Sequence, residues 1–339
     1  MSADALRVAV IGATGTLGRE LLGVLEDARL PLAELRAIAT DRSIGAAIDF
    51  LGEVVPVEST IGSLKGLALA ILCTPPGVAL EAVREALRSE VACIDCSGVL
   101  VASNDVPLVV ADLGAHDRVS GAPVITMPSG AALSWSLVLD AIQREVGIVR
   151  ASGTVLQSAS AAGQRGIDSL SEETLALLNQ RSAPESDVFP AGVAFDCFAH
   201  PGGESAEGGA GASDSLVAGG IKSALARLLG PEVVVSVSAV QVPAFAGEGS
   251  VIDVCPQSPV EPARVAELLD AASGVDRWDG DLGPSLRDAV GRDEVLVGPI
   301  RADDGGGNTP HIGLWLAADP VRLVAANAVK VARARFGLL

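Results

Sequence analysis

Apolar and polar positions alternate along this 339-residue chain in two regimes that change near residue 130. In the first, Leu6-Arg-Val-Ala-Val-Ile11 reads as a short buried strand, and Arg19 to Glu26 as a helix with Leu21, Leu22 and Leu25 at helical spacing. Leu35 to Ala39 and Ala68 to Leu72 predict two more strands, Val78 to Ser89 a helix, and Val91 to Asp95 a further strand. This alternation predicts a parallel doubly wound sheet, because a parallel crossover needs a helix-length connection.

In the second regime the runs lengthen. Arg150 to Gln157, Val233 to Pro243 and Ser250 to Cys255 read as strands, while Ala132 to Val146, Gly166 to Leu178 and Ser215 to Leu229 read as helices with apolar residues three and four apart. A second domain of α+β type is expected. The last helix, Val321 to Arg335, is placed to pack back on the first domain, so the expected division is 1–129 with 320–339 against 130–319. Pro201 to Ser213 is a loop by its glycine content, and Asp303 to Asn308 is a tight polar turn.

Composition narrows the partners. The most apolar candidate for a membrane span, Gly66 to Leu80, is too short and is broken by Pro75-Pro76, so no transmembrane helix is expected. Met1 to Arg7 lacks a signal-peptide profile, which places the expected protein in the cytoplasm. A formal charge of −18 without a basic stripe repels phosphodiester backbones, and nucleic acid is not an expected partner. The five cysteines, an odd number, are expected as reduced thiols. Strand alternation should aim Cys93 and Cys96 at opposite faces, and Cys197 and Cys255 lie in apolar runs that suit burial. With only His116, His200 and His311 and no second cysteine pair, no metal site is expected.

Between the first strand and its helix lies Gly12-Ala-Thr-Gly15-Thr-Leu-Gly18. Glycines at this spacing let the backbone turn sharply against a pyrophosphate, while the helix N-terminus presents free N–H groups and partial positive charge. The candidate cofactor contacts are Gly12, Thr14, Gly15, Thr16 and Leu17, with Cys73 at the carboxyl end of the third strand; the other reading is a tight turn that binds nothing. After the second strand comes Thr40-Asp-Arg-Ser43, where Thr40, Arg42 and Ser43 offer a cation and hydroxyls to a 2′-phosphate, favouring NADP. Asp41 works against that reading, and a plain exposed turn is the alternative.

The run Val8 to Gly18, followed by Ala39-Thr-Asp-Arg-Ser-Ile-Gly45, resembles the start of aspartate-semialdehyde dehydrogenases. Asp105-Val-Pro-Leu-Val-Val, Val188-Phe-Pro-Ala-Gly-Val-Ala-Phe and Ala289 to Arg301 look like later segments of the same family, in the same order. The resemblance implies a Rossmann-like NADP-binding domain joined to a substrate and dimerisation domain. It also implies reduction of aspartyl phosphate by NADPH through a cysteine thioester, with a histidine moving protons, a glutamine placing the acyl group and arginines holding the substrate anions.

At the matching positions this chain departs from that pattern. The nucleophile's place is Gly130 in Met127-Pro-Ser-Gly, a substrate arginine's is Gln241 and the histidine's is Glu248. The phosphate arginine's place is Val101, and the nicotinamide-side Asp-Asn reads Asp319-Pro320. A later glutamate and lysine fall near Val217 and Gly220, whereas the glutamine is kept as Gln157. Nucleophile, base and anion clamps have changed together, so no catalytic residue is assigned. Loss of the reaction is expected in a homologue that keeps a dinucleotide-type site and a dimer face, forming a homodimer or a hetero-oligomer with a catalytic paralogue. The alternative is an NADP-dependent oxidoreductase without a cysteine acyl intermediate, using Gln157 and Glu248. Glu248 itself reads as a solvated acid in a Gly-Glu-Gly turn or, if buried, as a base. Met127, Gly130, Ala131 and Ala132 predict a roomier, less polar acyl pocket.

Overall fold

The computed structural model describes residues 5–43, 45–114, 119–200, 216–280, 282–303 and 311–338. His116, the segment 201–213 and the turn residues 304–308 lie outside the described residues, as does the Arg42 side chain. The chain divides into two compact units, Met1–Ser129 with Val324–Leu339, and Gly130–Leu323.

The first unit runs β1 (Leu6–Ile11), α1 (Thr16–Ala28), β2 (Leu32–Ile38), β3 (Ala47–Phe50), β4 (Glu53–Glu58), β5 (Leu69–Leu72), α2 (Pro76–Arg88), β6 (Ala92–Asp95) and β7 (Val124–Thr126). Its strands form one sheet in the order β3-β4-β2-β1-β5-β6-β7. All neighbours from β4 to β7 pair in parallel, and only β3 runs antiparallel, against β4. β1 is central, so Val8, Ala9 and Val10 are buried on both faces while Arg7 at its start pairs with Glu34 at the surface. The chain leaves β1 for β2 on one side and returns to β5 on the other. That reversal opens a crevice at the carboxyl ends of the strands.

The β3–β4 hairpin escaped the sequence pattern because its residues are mostly exposed and Pro56 interrupts the run. Proline is tolerated there because β4 meets β2 only through Val57 and Glu58.

The second unit contains α3 (Ala131–Glu145), β8 (Ile148–Gln157), α4 (Gly163–Leu178), β9 (Phe198–Ala199), α5 (Leu216–Leu229), β10 (Val234–Gln241), β11 (Glu248–Pro256), α6 (Pro262–Asp270), β12 (Val275–Arg277), α7 (Leu286–Ala289), β13 (Val295–Asp303) and β14 (His311–Ala318). Its mixed sheet has the order β12-β13-β14-β11-β8-β10-β9. α3, α5 and α6 pack on one face, where Trp135 is fully buried and its Nε1 donates to Ser250 Oγ at 2.9 Å. The opposite face carries Val234 and Val251, 53% and 42% exposed, beside the Asp253–His311 pair at 2.8 Å.

The last helix, α8 (Pro320–Phe336), belongs to the first unit from Val324 onward. There Asn327 accepts the Ala111 N–H at 2.8 Å and Lys330 pairs with Asp112 at 2.7 Å.

Two burial expectations need correction. Cys197 is exposed, because β9 is a two-residue strand at the sheet edge, and Cys255 is half-buried on the open face. Met127 lines no open pocket: it is fully buried in the first unit, its sulfur accepting from Asn327.

Candidate functional site

In the first unit a cleft of about 740 Å³ lies over the carboxyl ends of β1, β2 and β5. Gly12, Thr14, Gly15, Thr40 and Cys73 all line it, together with Asp41. The glycine loop is shaped by close approach as well as by turning. A Cβ on Gly12, whose φ is +92°, would stand 2.4 Å from the Cys73 carbonyl oxygen, and one on Gly18 would stand 2.1 Å from the Gly12 oxygen. Gly15 caps α1 without a side-chain hydrogen bond, so Thr16 and Leu17 begin the helix with first-turn N–H groups that have no intrahelical acceptor. Thr16 and Leu17 are not themselves among the lining residues. Ser43 meets Thr14, hydroxyl to hydroxyl at 3.0 Å, tying the turn after β2 to the loop.

The cleft extends past the residues legible in the sequence, to Ser59, Thr60, Glu81, Glu85 and Arg88. Arg88 is ion-paired with Glu85 at 2.8 Å. Ser59-Thr60-Ile-Gly62 is a polar turn after β4, and recognising the hairpin would have exposed it.

In the second unit three sequence-selected side chains meet. Gln241, Gln157 and Glu248 are register partners on the adjacent strands β10, β8 and β11, hence on one face. Glu248 opens β11 and is only 4% exposed, which overturns the solvated-turn reading. Burial pushes its carboxyl up to about 8, opposed by a hydrogen bond from Gln157. Its Oε1 is buried without a hydrogen-bond partner. Gln241 is 1% exposed and donates from Nε2 to the Gln157 carbonyl at 2.9 Å.

Gly130 caps α3 at φ +51°, ψ −134°, a conformation suited to glycine. A Cβ there would lie 3.3 Å from Glu248 Oε2. The acid therefore crowds the spot from which a side chain at 130 would emerge. Asp319 acts as a helix cap, its Oδ1 accepting from Val321 at 3.0 Å and Arg322 at 3.1 Å, with Pro320 in the first turn of α8. Val101 is a buried residue of the first unit, and His311 is held by Asp253.

Among the described residues no cluster of three or more His, Cys, Asp or Glu side chains could hold a metal ion, and no helix is long and apolar enough to cross a membrane.

Residues 7–120 match the semialdehyde dehydrogenase NAD binding domain, and residues 139–323 match the semialdehyde dehydrogenase dimerisation domain. The chain is 31% identical to aspartate-semialdehyde dehydrogenase 2 of Vibrio cholerae, with 96% of each covered. It is 30% identical to the USG-1 protein homolog of Pseudomonas aeruginosa, again over 96% of each. Its fold matches the crystal structure of aspartate semialdehyde dehydrogenase II complexed with ASA from Vibrio cholerae, with a TM-score of 0.89, 29% identity and 98% of both chains covered. By its domains, its relatives and its fold, this chain belongs to the aspartate-semialdehyde dehydrogenase family.

Proposed function

We propose that this chain is a family member that has lost the covalent dehydrogenase reaction while keeping an NADP cleft, and that it acts by association through its second unit. The observation that carries the proposal is the state of position 130. There is no side chain to attack an acyl carbon, the backbone favours glycine, and a buried carboxyl stands against the space a thiol would need. Covalent catalysis requires a nucleophile within reach of its base. Here the base position holds Glu248, which burial keeps mostly protonated at neutral pH and which hydrogen-bonds Gln157. Gln241 replaces a cation with an amide whose Nε2 is already committed to a backbone carbonyl.

The first unit's cleft fits a dinucleotide. The Gly12 and Gly18 approaches leave no room for side chains, and the unpaired N–H groups of α1 suit a pyrophosphate. Gly12, Thr14, Gly15, Thr16 and Leu17 would hold it, with Thr40 and Ser43 toward the 2′-phosphate and Cys73 on the cleft wall. Bound NADPH would supply a hydride. In this reading 1–129 with 320–339 is the NADP domain and 130–319 the substrate-derived dimerisation domain. The open sheet face with Val234 and Val251 suits a two-fold, self-complementary contact. A homodimer follows, and a catalytic paralogue bearing the same face could take the second place.

Native mass measurement after co-expression with a cysteine-bearing paralogue, alongside NADP titration, tests this. Homodimers or mixed dimers with saturable NADP binding are expected. A monomer that takes up no NADP would contradict the reading.

A further inference from the structure

We propose that Cys73 and Cys96 form a reversible dithiol–disulfide pair in the wall of the cleft, oxidised by hydrogen peroxide or an organic hydroperoxide. β5 and β6 are adjacent parallel strands in register up to Leu72↔Asp95, and in each the next residue is a cysteine. The Cys96 N–H donates to the Leu72 carbonyl at 3.1 Å, so the pairing persists at that point. Neighbouring strands lie about 4.8 Å apart, within the span of about 4.4–6.8 Å between Cα atoms that a disulfide bridges. Interaction with the neighbouring Cys73 thiol, together with burial, raises the Cys96 thiol well above its ordinary value. Cys93, three residues earlier, lies on the opposite face and is raised by burial in its own surroundings.

The two thiols differ in access. Cys73 is half-buried and lines the cleft, whereas Cys96 is 3% exposed behind it. A peroxide entering the cleft reaches Cys73 first. In the first step the Cys73 sulfur, as thiolate, attacks a peroxide oxygen. The S–O bond forms, the O–O bond breaks, and the departing oxygen takes up a proton and leaves as water or alcohol. In the second, the Cys96 sulfur attacks the Cys73 sulfenic sulfur; the S–S bond forms, the S–O bond breaks, and the hydroxyl leaves with the Cys96 proton as water. The thiols lose two electrons and two protons in total, and the peroxide gains them.

The pair also touches the phosphate loop. The Cys73 carbonyl packs directly on Gly12, so a shift of Cys73 toward Cys96 is transmitted to the glycine turn. This consequence rests on the cleft's being a dinucleotide site, while the pair itself does not.

Peroxide titration of the full-length reduced protein, followed by alkylation, intact mass and mapping of linked peptides, tests the proposal. The expected result is loss of two of the five thiols, a Cys73–Cys96 linkage and full recovery with dithiothreitol. In Cys96→Ser, Cys73 should accumulate as a sulfenic acid trapped by dimedone. Retention of all five thiols in the wild type, or a linkage between other cysteines, overturns the pair, and this holds even if the variant fails to fold. NADPH at ten times its Kd should slow disulfide formation about tenfold, since about a tenth of the sites remain open. A disulfide that forms at an unchanged rate leaves the pair standing and contradicts the dinucleotide reading instead.

Discussion

Replacing Glu248 with glutamine isolates the energetic cost of the buried acid. Glutamine matches the shape of the neutral carboxyl and can still hydrogen-bond Gln157, but it cannot ionise. Burial moves the Glu248 carboxyl from 4.5 to about 8 in the folded chain. The unfolded chain therefore ionises first, and the folded chain binds more protons between those values. Stability of the wild type falls as pH rises through that window and levels off above it. At full extent the difference weights unfolding by about 5 kcal/mol. At pH 5 the two proteins should be of similar stability, whereas at pH 9 Glu248→Gln should be the more stable. Each kcal/mol moves the midpoint by about 2–4 °C in a unit of this size, so the gap at pH 9 approaches about 10–20 °C at its ceiling. Thermal denaturation of both proteins across this range is the assay. Parallel pH profiles would refute the reasoning, because they would mean that Glu248 ionises as readily folded as unfolded.

Gly130→Cys should fold less stably by about 1–3 kcal/mol, because φ +51° is costly for a side chain, and it should gain no measurable turnover because base and clamp are also missing; denaturant midpoints and a coupled assay check both. Gly18→Ala should lose about 1–3 kcal/mol and its NADP affinity, since the new methyl would overlap the Gly12 carbonyl, and calorimetric titration would reveal it. Asp41→Asn should improve the affinity ratio of NADP to NAD by about fivefold, the effect of removing roughly 1 kcal/mol of repulsion near the 2′-phosphate; fluorescence titration with both dinucleotides measures the ratio.

Much of the first unit was legible because β1 and β5 are buried on both faces and read as unbroken apolar runs around a glycine turn. The β3–β4 hairpin was not, since an edge hairpin with mostly exposed residues carries little periodic signal. In the second unit the sequence could place Gln157, Gln241 and Glu248 on three segments, but only the register aligns them on one face. Glu248 was the hardest residue to read. A glycine on each side resembles a turn, and its burial comes from strands far away in the chain. The Cys73–Cys96 contact was likewise hidden, because the sequence offers the nearer Cys93 as a partner while the strand alternation turns it away.

The central claim, that the covalent reaction has been lost, is tested most directly by incubating the purified protein with aspartate semialdehyde, phosphate and NADP and following nicotinamide reduction beside a cysteine-bearing family member. The account predicts no reduction above background in this chain. Turnover comparable to that of the cysteine-bearing enzyme would contradict it.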